Sequence, residues 1–224
     1  MLKKHLIAAS LLGLFSAASQ AQELTVSLTN LTQGIYFTPV IAAAHNSSAS
    51  IFHATEAASS ELEALAEGGS IAGVSSLLAS YNADIVENPA GGLLAPAHGT
   101  EFDLSSSEDN VYLSVAAMML PTNDAFIGLD SWEIPSEAGT YTIYLNAYDA
   151  GTEANDELIT SIPAAPGGDA GTGGTGVVDT VSNETVHIHP GVLGDSDLAG
   201  GISDLDSSKH RWLNPVAKLT IVVE

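Results

Sequence analysis

"VYLSVAAMMLPTNDAFIGLDSWEI", residues 111–134, decides the fold. Two apolar runs of strand length, 111–120 and 126–134, are separated by Pro121 and the turn formers Asn123 and Asp124. The stretch therefore reads as two strands joined by a short connection. Further strands are expected on both sides of it. "ELTVSLTNL" (23–31) alternates Leu24, Val26 and Leu28 with polar neighbours, the period of a half-buried strand. "TYTIYLNAY" (140–148), "ETVHIH" (184–189) and "AKLTIVVE" (217–224) read the same way. One helix interrupts them in "SSELEALAEGG" (59–69). Ser59 or Ser60 can cap it, Leu62, Leu65 and Ala66 form one face, and Gly68 stops it. A weaker helix is expected from Val74 to Tyr81. Many strands with one or two short inserted helices predict a mainly β protein built as an antiparallel β-sandwich. The Gly-rich segment 163–178 is expected to be a surface loop of a domain spanning 22–224.

Composition bounds the function. Apolar residues make up 45% of the 224, enough to bury a substantial core. Five Lys and Arg stand against 27 Asp and Glu, a formal net charge of −22. Such a surface repels nucleic-acid phosphate and anionic lipid, so nucleic acid is not an expected partner and cations are. There is no cysteine, which removes thiol catalysis, zinc–thiolate sites and iron–sulfur clusters. "MLKKHLIAASLLGLFSAASQAQ" has a basic start, a short apolar run, and Ser19 and Ala21 placed for cleavage after Ala21. It reads as a signal peptide, 1–21. The mature chain is expected to carry no transmembrane segment and to act in the periplasm, at the cell surface or in the medium.

"YDAGTEANDE" (148–157) crowds carboxylates behind a strand. If the strand ends near Tyr148, Asp149 lies at a sheet edge, and Ala150 and Gly151 allow a turn that swings Glu153 back towards it. Clustered carboxylates raise one another's pKa unless a cation neutralises them, and Ca²⁺ takes six to eight oxygen ligands. The spacing is not that of a helix–loop–helix calcium loop. Two readings stay open on chemistry alone, a calcium site and a solvated acidic turn. Asn123 and Asp124 form a second polar loop that could meet Asp149 at the same end of the sandwich, while Asp130, further along its strand, is expected to face solvent.

These residues also carry a family resemblance. "FTPVIAAAHNSSASIFHATEAASSELEALAEGGS" (37–70), with its Ala-His pair and its helix ending in Ala-Glu-x-Gly, resembles the N-terminal part of the spondin domain found in F-spondin and mindin. "LPTNDAFIGLDS" (120–131) resembles that family's Pro-x-x-Asp-x-Phe-x-Gly segment, and "YDAGTEANDE" its Asp-Ala-Gly-Thr-acid segment. The resemblance implies a secreted β-sandwich similar to the calcium-binding C-two type. It implies a Ca²⁺ ion held by Asp124, Asp149 and Glu153, with Glu standing where the animal domains carry Asp. It also implies an extracellular partner of glycan, matrix or cell-surface type.

Histidines offer a competing chemistry. His187 and His189, two apart on a strand, share a face and could chelate Zn²⁺ or Cu²⁺ with a third ligand. His45 and His53 flank an Asn/Ser turn and are expected to be hydrogen-bonded structural residues. No Gly-x-Ser-x-Gly or other nucleophile motif occurs, so the expectation is a non-enzymatic module. The favoured function is a secreted calcium-binding module with a binding or adhesion role. The alternatives are a purely structural calcium domain, or a metal-dependent enzyme or transition-metal binder using His187 and His189.

Overall fold

The computed structural model describes residues 21–164, 184–197 and 200–224. The expected signal peptide, through residue 20, and the Gly-rich segment from 165 onward lie outside the described residues. The described chain runs β1 (Gln22–Asn30), β2 (Tyr36–Phe37), β3 (Ile41–His45), α1 (Ser60–Gly68), α2 (Ala72–Ser80), β4 (Asp84–Glu87), β5 (Gly99–Ser106), β6 (Tyr112–Leu120), β7 (Ala125–Glu133), β8 (Gly139–Asp149), β9 (His187–Ile188) and β10 (Ala217–Val223). The strands are antiparallel, in the order β4-β3-β6-β7-β8-β10-β1-β5, with β2 added to β6 and β9 to β8. The two ends of this order meet. The Asp84 carboxylate on β4 accepts from Ser107 N–H (2.6 Å), Ser107 Oγ (2.9 Å) and Asn110 Nδ2 (2.8 Å), just beyond β5. The sheet is thereby nearly closed into the expected sandwich.

The central strands read as unbroken apolar runs because both of their faces are covered. On β6, Leu113, Val115, Ala117 and Met119 enter the core between the sheet halves, while Ala116 faces the helical layer. On β3, Ala42 and Ala44 go inward, and Ile41 and Ala43 meet Leu62, Leu65 and Ala66 of α1 and Val74 and Leu78 of α2. The expected face of α1 is thus its buried face. Ser59 is the cap, its Oγ accepting from Leu62 N–H at 3.2 Å. The stop lies one residue later than expected: Gly68 is still helical, and Gly69, at φ 68°, takes the left-handed turn that closes the helix.

β9 is shorter than the expected 184–189. Only His187 and Ile188 pair, with Asp149 and Tyr148, because Val186 instead exchanges backbone hydrogen bonds with residues 55 and 56 of the loop before α1. At the middle of β7, a Cβ added to Gly128 would stand 2.5 Å from Cζ and 2.6 Å from Cε1 of Phe52. Phe52 is itself buried against Phe126 (5.0 Å between ring centroids) and Tyr148 (4.9 Å), so it has nowhere to move. Gly128→Ala should therefore destabilise the protein by about 1–3 kcal/mol through overpacking. Urea unfolding would show this as a lower midpoint with an unchanged m-value.

Candidate metal site

Strand register brings the two acidic loops together. Ala125 at the start of β7 pairs with Asp149 at the end of β8, so Asp124 and Asp149 sit side by side at one end of the sandwich. The turn after β8 then folds back over Asp124. Asp124 Oδ2 accepts from the backbone N–H of Thr152 (2.9 Å) and Glu153 (3.1 Å) and from Thr152 Oγ1 (3.3 Å). Asp149 Oδ1 accepts from Gly151 N–H (2.8 Å), in an Asx-type turn whose glycine has φ 72°. Asp124, Asp149 and Glu153 are all buried, at 0%, 2% and 2% exposure.

Burial of like charges has an electrostatic cost. Asp124 Oδ1 is buried with no hydrogen-bond partner. Burial, and then the neighbouring Asp149 carboxylate, push the Asp124 pKa up to about 6. Glu67, in the last turn of α1, extends the cluster by bonding the side chains of Thr152 and Glu153, and burial raises its pKa too. Sequence reasoning did not single out Glu67, although it is the Glu of the Ala-Glu-x-Gly segment. Among the described residues, no three His, Asp or Glu side chains stand at metal-holding distances from one another. The donor set still fits a hard cation, being all oxygen, buried and like-charged, with one orphaned carboxylate oxygen.

The remaining acids of the stretch do a different job. Asp156 accepts from Asn123 Nδ2 (3.1 Å), Leu158 N–H (3.0 Å) and Ser161 Oγ (2.7 Å). Glu157 accepts from the N–H groups of Leu193 (2.6 Å) and Gly194 (2.9 Å) and from Ser203 Oγ (2.6 Å). Both pin loops rather than face the site.

The two β9-region histidines approach the same cluster. His187 Nε2 lies 3.7 Å and His189 Nε2 4.0 Å from Asp149 Oδ2. Their tautomers differ. Gly191 N–H donates to His189 Nδ1 (2.9 Å), so the neutral ring carries its proton on Nε2 and donates to Asn155 Oδ1 (3.2 Å). Asn155 Nδ2 in turn donates to Asp149 Oδ2 (2.6 Å). Burial lowers the His189 pKa to about 4. His187 Nδ1 donates to Thr185 O (2.8 Å), which leaves its Nε2 lone pair on the Asp149 side. Asp149 thus lies beside both rings, but the two differ in which nitrogen is committed to a backbone hydrogen bond.

Elsewhere, His45 is the hydrogen-bonded structural histidine expected, fully buried between Asn46 O (2.9 Å) and Ser114 Oγ (2.8 Å). Asp130 is only partly exposed, at 28%, because His53 Nδ1 donates to it at 2.9 Å.

The family model of the spondin N-terminal domain, Spondin_N, matches residues 28–163, more than half of the chain. The chain belongs to the spondin N-terminal domain family. The match spans Asp124, Asp149, Glu153 and Glu67, and ends before His187 and His189. No curated protein matches the chain. Membership marks the spondin domain as an extracellular-type module, and among the described residues no helix is long and apolar enough to cross a membrane.

Two proton linkages of opposite sign follow for the metal-free domain. Asp124 holds a proton in the native state between pH 3.8, its ordinary value, and about 6, so stability falls as pH rises through that window. His189 stays neutral while the unfolded chain protonates below 6.5, so its contribution is lost as pH falls towards about 4. The two largely offset each other. Asp124→Asn removes the first alone and keeps an oxygen for the Thr152 and Glu153 N–H groups. In chelator the variant should exceed the wild type in stability at about pH 7, by up to about 3 kcal/mol, and the advantage should vanish near pH 4. Urea melts across this range would check it; a pH-independent offset would mean that Asp124 is not held against its charge.

Proposed function

We propose that this spondin domain is an exported, non-catalytic calcium-binding module, in which the ion fixes the loops 121–124 and 149–157 and presents them to an extracellular partner. The observation that carries the reading is the buried Asp124 Oδ1, left without a donor beside the like charge of Asp149. A cation would satisfy that oxygen and remove the repulsion in one step. Asp124, Asp149 and Glu153 would hold it, and Ca²⁺ would supply charge neutralisation and an open coordination position for an anionic group of a glycan, matrix or cell-surface partner. The basic, apolar and small-residue pattern of residues 1–21 supports export.

Thermal unfolding in chelator and then in Ca²⁺ or Mg²⁺, at matched ionic strength, tests this reading. At a hundredfold excess over Kd, a ligand specific for the native state adds about 2.7 kcal/mol. For a chain of this size that is a rise in Tm of roughly 5–11 °C. Asp149→Asn should abolish the rise, and an unchanged calcium response in that variant would remove Asp149 from the ligand set. A partner screen with and without calcium separates a binding module from a purely structural calcium domain.

A second reading rests on His187. Its Nε2 lone pair and Asp149 Oδ2, 3.7 Å apart, suit a transition metal placed between them with bonds of about 2.0–2.1 Å to each. His189 is the weaker ligand, since its Nδ1 is committed to Gly191. Zn²⁺ should then raise the Tm, and His187→Ala should remove the zinc response while sparing the calcium response. Loss of both responses together would refer the effect to folding.

A further inference from the structure

A second polar concavity lies towards the opposite end of β7. Asp130 is six residues beyond Asp124, about 20 Å at the rise of an extended strand. There a cavity of about 230 Å³ is lined by Ser47, Ser48, Ser50, His53, Tyr112 and Ser131.

The backbone is distorted to build it. Leu113 pairs with Trp132 and Val115 with Leu129, so Asp130 and Ser131 together oppose the single residue Ser114, a β-bulge. Ser131 sits at φ 47°, a left-handed conformation that a serine adopts at a cost. A chain of neutral hydrogen bonds holds the bulge from behind. Ser131 N–H donates to Ser114 Oγ (2.9 Å), Ser114 Oγ–H donates to His45 Nε2 (2.8 Å), and His45 Nδ1–H donates to Asn46 O (2.9 Å). Burial lowers the His45 pKa and keeps that ring neutral. The consequence is that Ser131 enters the lining while its neighbour Asp130 bonds two lining side chains, His53 and Ser131. Asp130 Oδ2 accepts from His53 Nδ1 (2.9 Å) and Asp130 Oδ1 from Ser131 Oγ (2.9 Å). His53 has its Nδ1 committed to Asp130, which leaves Nε2 for a ligand, and Tyr112, stacked on His45 with ring centroids 6.1 Å apart, gives the wall an aromatic body with a polar tip.

The lining chooses among ligand chemistries. An anion would find no Lys or Arg among the lining residues, in a chain of net charge −22. A small cation would find no carboxylate in the lining, and the neighbouring Asp130 has both oxygens already bonded, to His53 and Ser131. Serine hydroxyls are donors and acceptors at once, and with His53 Nε2 and the Tyr112 ring they match a neutral ligand that alternates hydroxyl groups with a C–H face. The cavity is smaller than the 300–1,000 Å³ or so typical of pockets for drug-sized ligands.

We propose that the pocket at the β7 bulge binds one neutral sugar residue, with His53 as its polar anchor and Asp130 as the residue that positions His53, independently of any metal at Asp124 and Asp149.

The test is an amide chemical-shift titration of the mature protein in chelator, with the neutral methyl glycosides of glucose, galactose, mannose and N-acetylglucosamine at millimolar concentration as probes, and choline and acetate as charged comparisons. At least one glycoside should give saturable shifts at Ser50, His53, Tyr112 and Ser131. Affinity should fall about tenfold or more in His53→Ala, as for loss of a good polar contact, fall less in Asp130→Asn, which only loosens His53, and stay unchanged in Asp149→Asn. His53 is exposed, so His53→Ala remains interpretable if Asp130→Asn disturbs the bulge. Saturation by no glycoside, shifts confined to another surface, equal affinity in His53→Ala, or saturation by choline or acetate instead would overturn the proposal. Because chelator is present throughout, failure of the calcium reading leaves this result unaffected.

Discussion

One carboxylate joins the two loops that form an end of this sandwich. Asp124 precedes β7, and its Oδ2 is held by the N–H groups of Thr152 and Glu153, which follow β8. The Asx turn at Asp149, the return of Glu153 and the approach of Glu67 from α1 all follow from that clamp. Yet the clamp uses one oxygen and strands the other. A buried acceptor without a donor costs about 1–3 kcal/mol, and more when it is charged. An exposed turn would have avoided that cost, so the burial is itself informative: the fold brings carboxylates together where a cation would be the natural complement.

The double covering of the central strands explains how such a site can be held. β6 and β7 are packed on both faces, by the inner core and by the layer of α1, α2 and Phe52. Close packing of this kind leaves little freedom for a strand to slide, since a one-residue slip would exchange its two faces. β7 therefore acts as a rigid ruler, with the acidic loops at one end and the bulge at Asp130 and Ser131 at the other. Gly128 lies between them, where Phe52 leaves no room for a side chain.

Legibility in the sequence followed the physics of burial. The strands at 23–31 and 140–148 could be read because they are covered on one face and alternate. Those at 111–120 and 126–134 could be read by their length and the Pro-Asn-Asp turn between them. β3, "IAAAH", escaped notice because alanines buried on both sides show neither alternation nor β-branching, and β2 is only two residues long. β5, an end strand with polar residues between Phe102 and Leu104, gave a weak signal for the opposite reason. At the site, the neighbourhood of Asp124 and Asp149 was legible as two loops behind adjacent strands. The places of Glu67 and Asn155 were not, because they depend on how α1 and the turn after β8 pack, and no local period encodes that.

Acid content alone would have misled in either direction. Glu157 gathers two backbone N–H groups and a serine hydroxyl from residues 193–203, and Asp195 accepts from the N–H groups of Asp197, Ile202 and Ser203. In a chain without cysteine, such bonds do locally what cross-links do elsewhere, and being charge-assisted they are stronger than neutral ones. A carboxylate saturated by donors has no need of a cation, and its pKa falls, as it does for Asp195. Asp124 is the opposite case, buried, raised and short of a donor. The feature that separates a metal-seeking acid from a stapling acid is thus the count of donors per oxygen rather than the density of carboxylates along the chain. By that measure, the last two acids of "YDAGTEANDE", Asp156 and Glu157, are scaffold, while Asp149 and Glu153 are the two that share the buried cluster with Asp124.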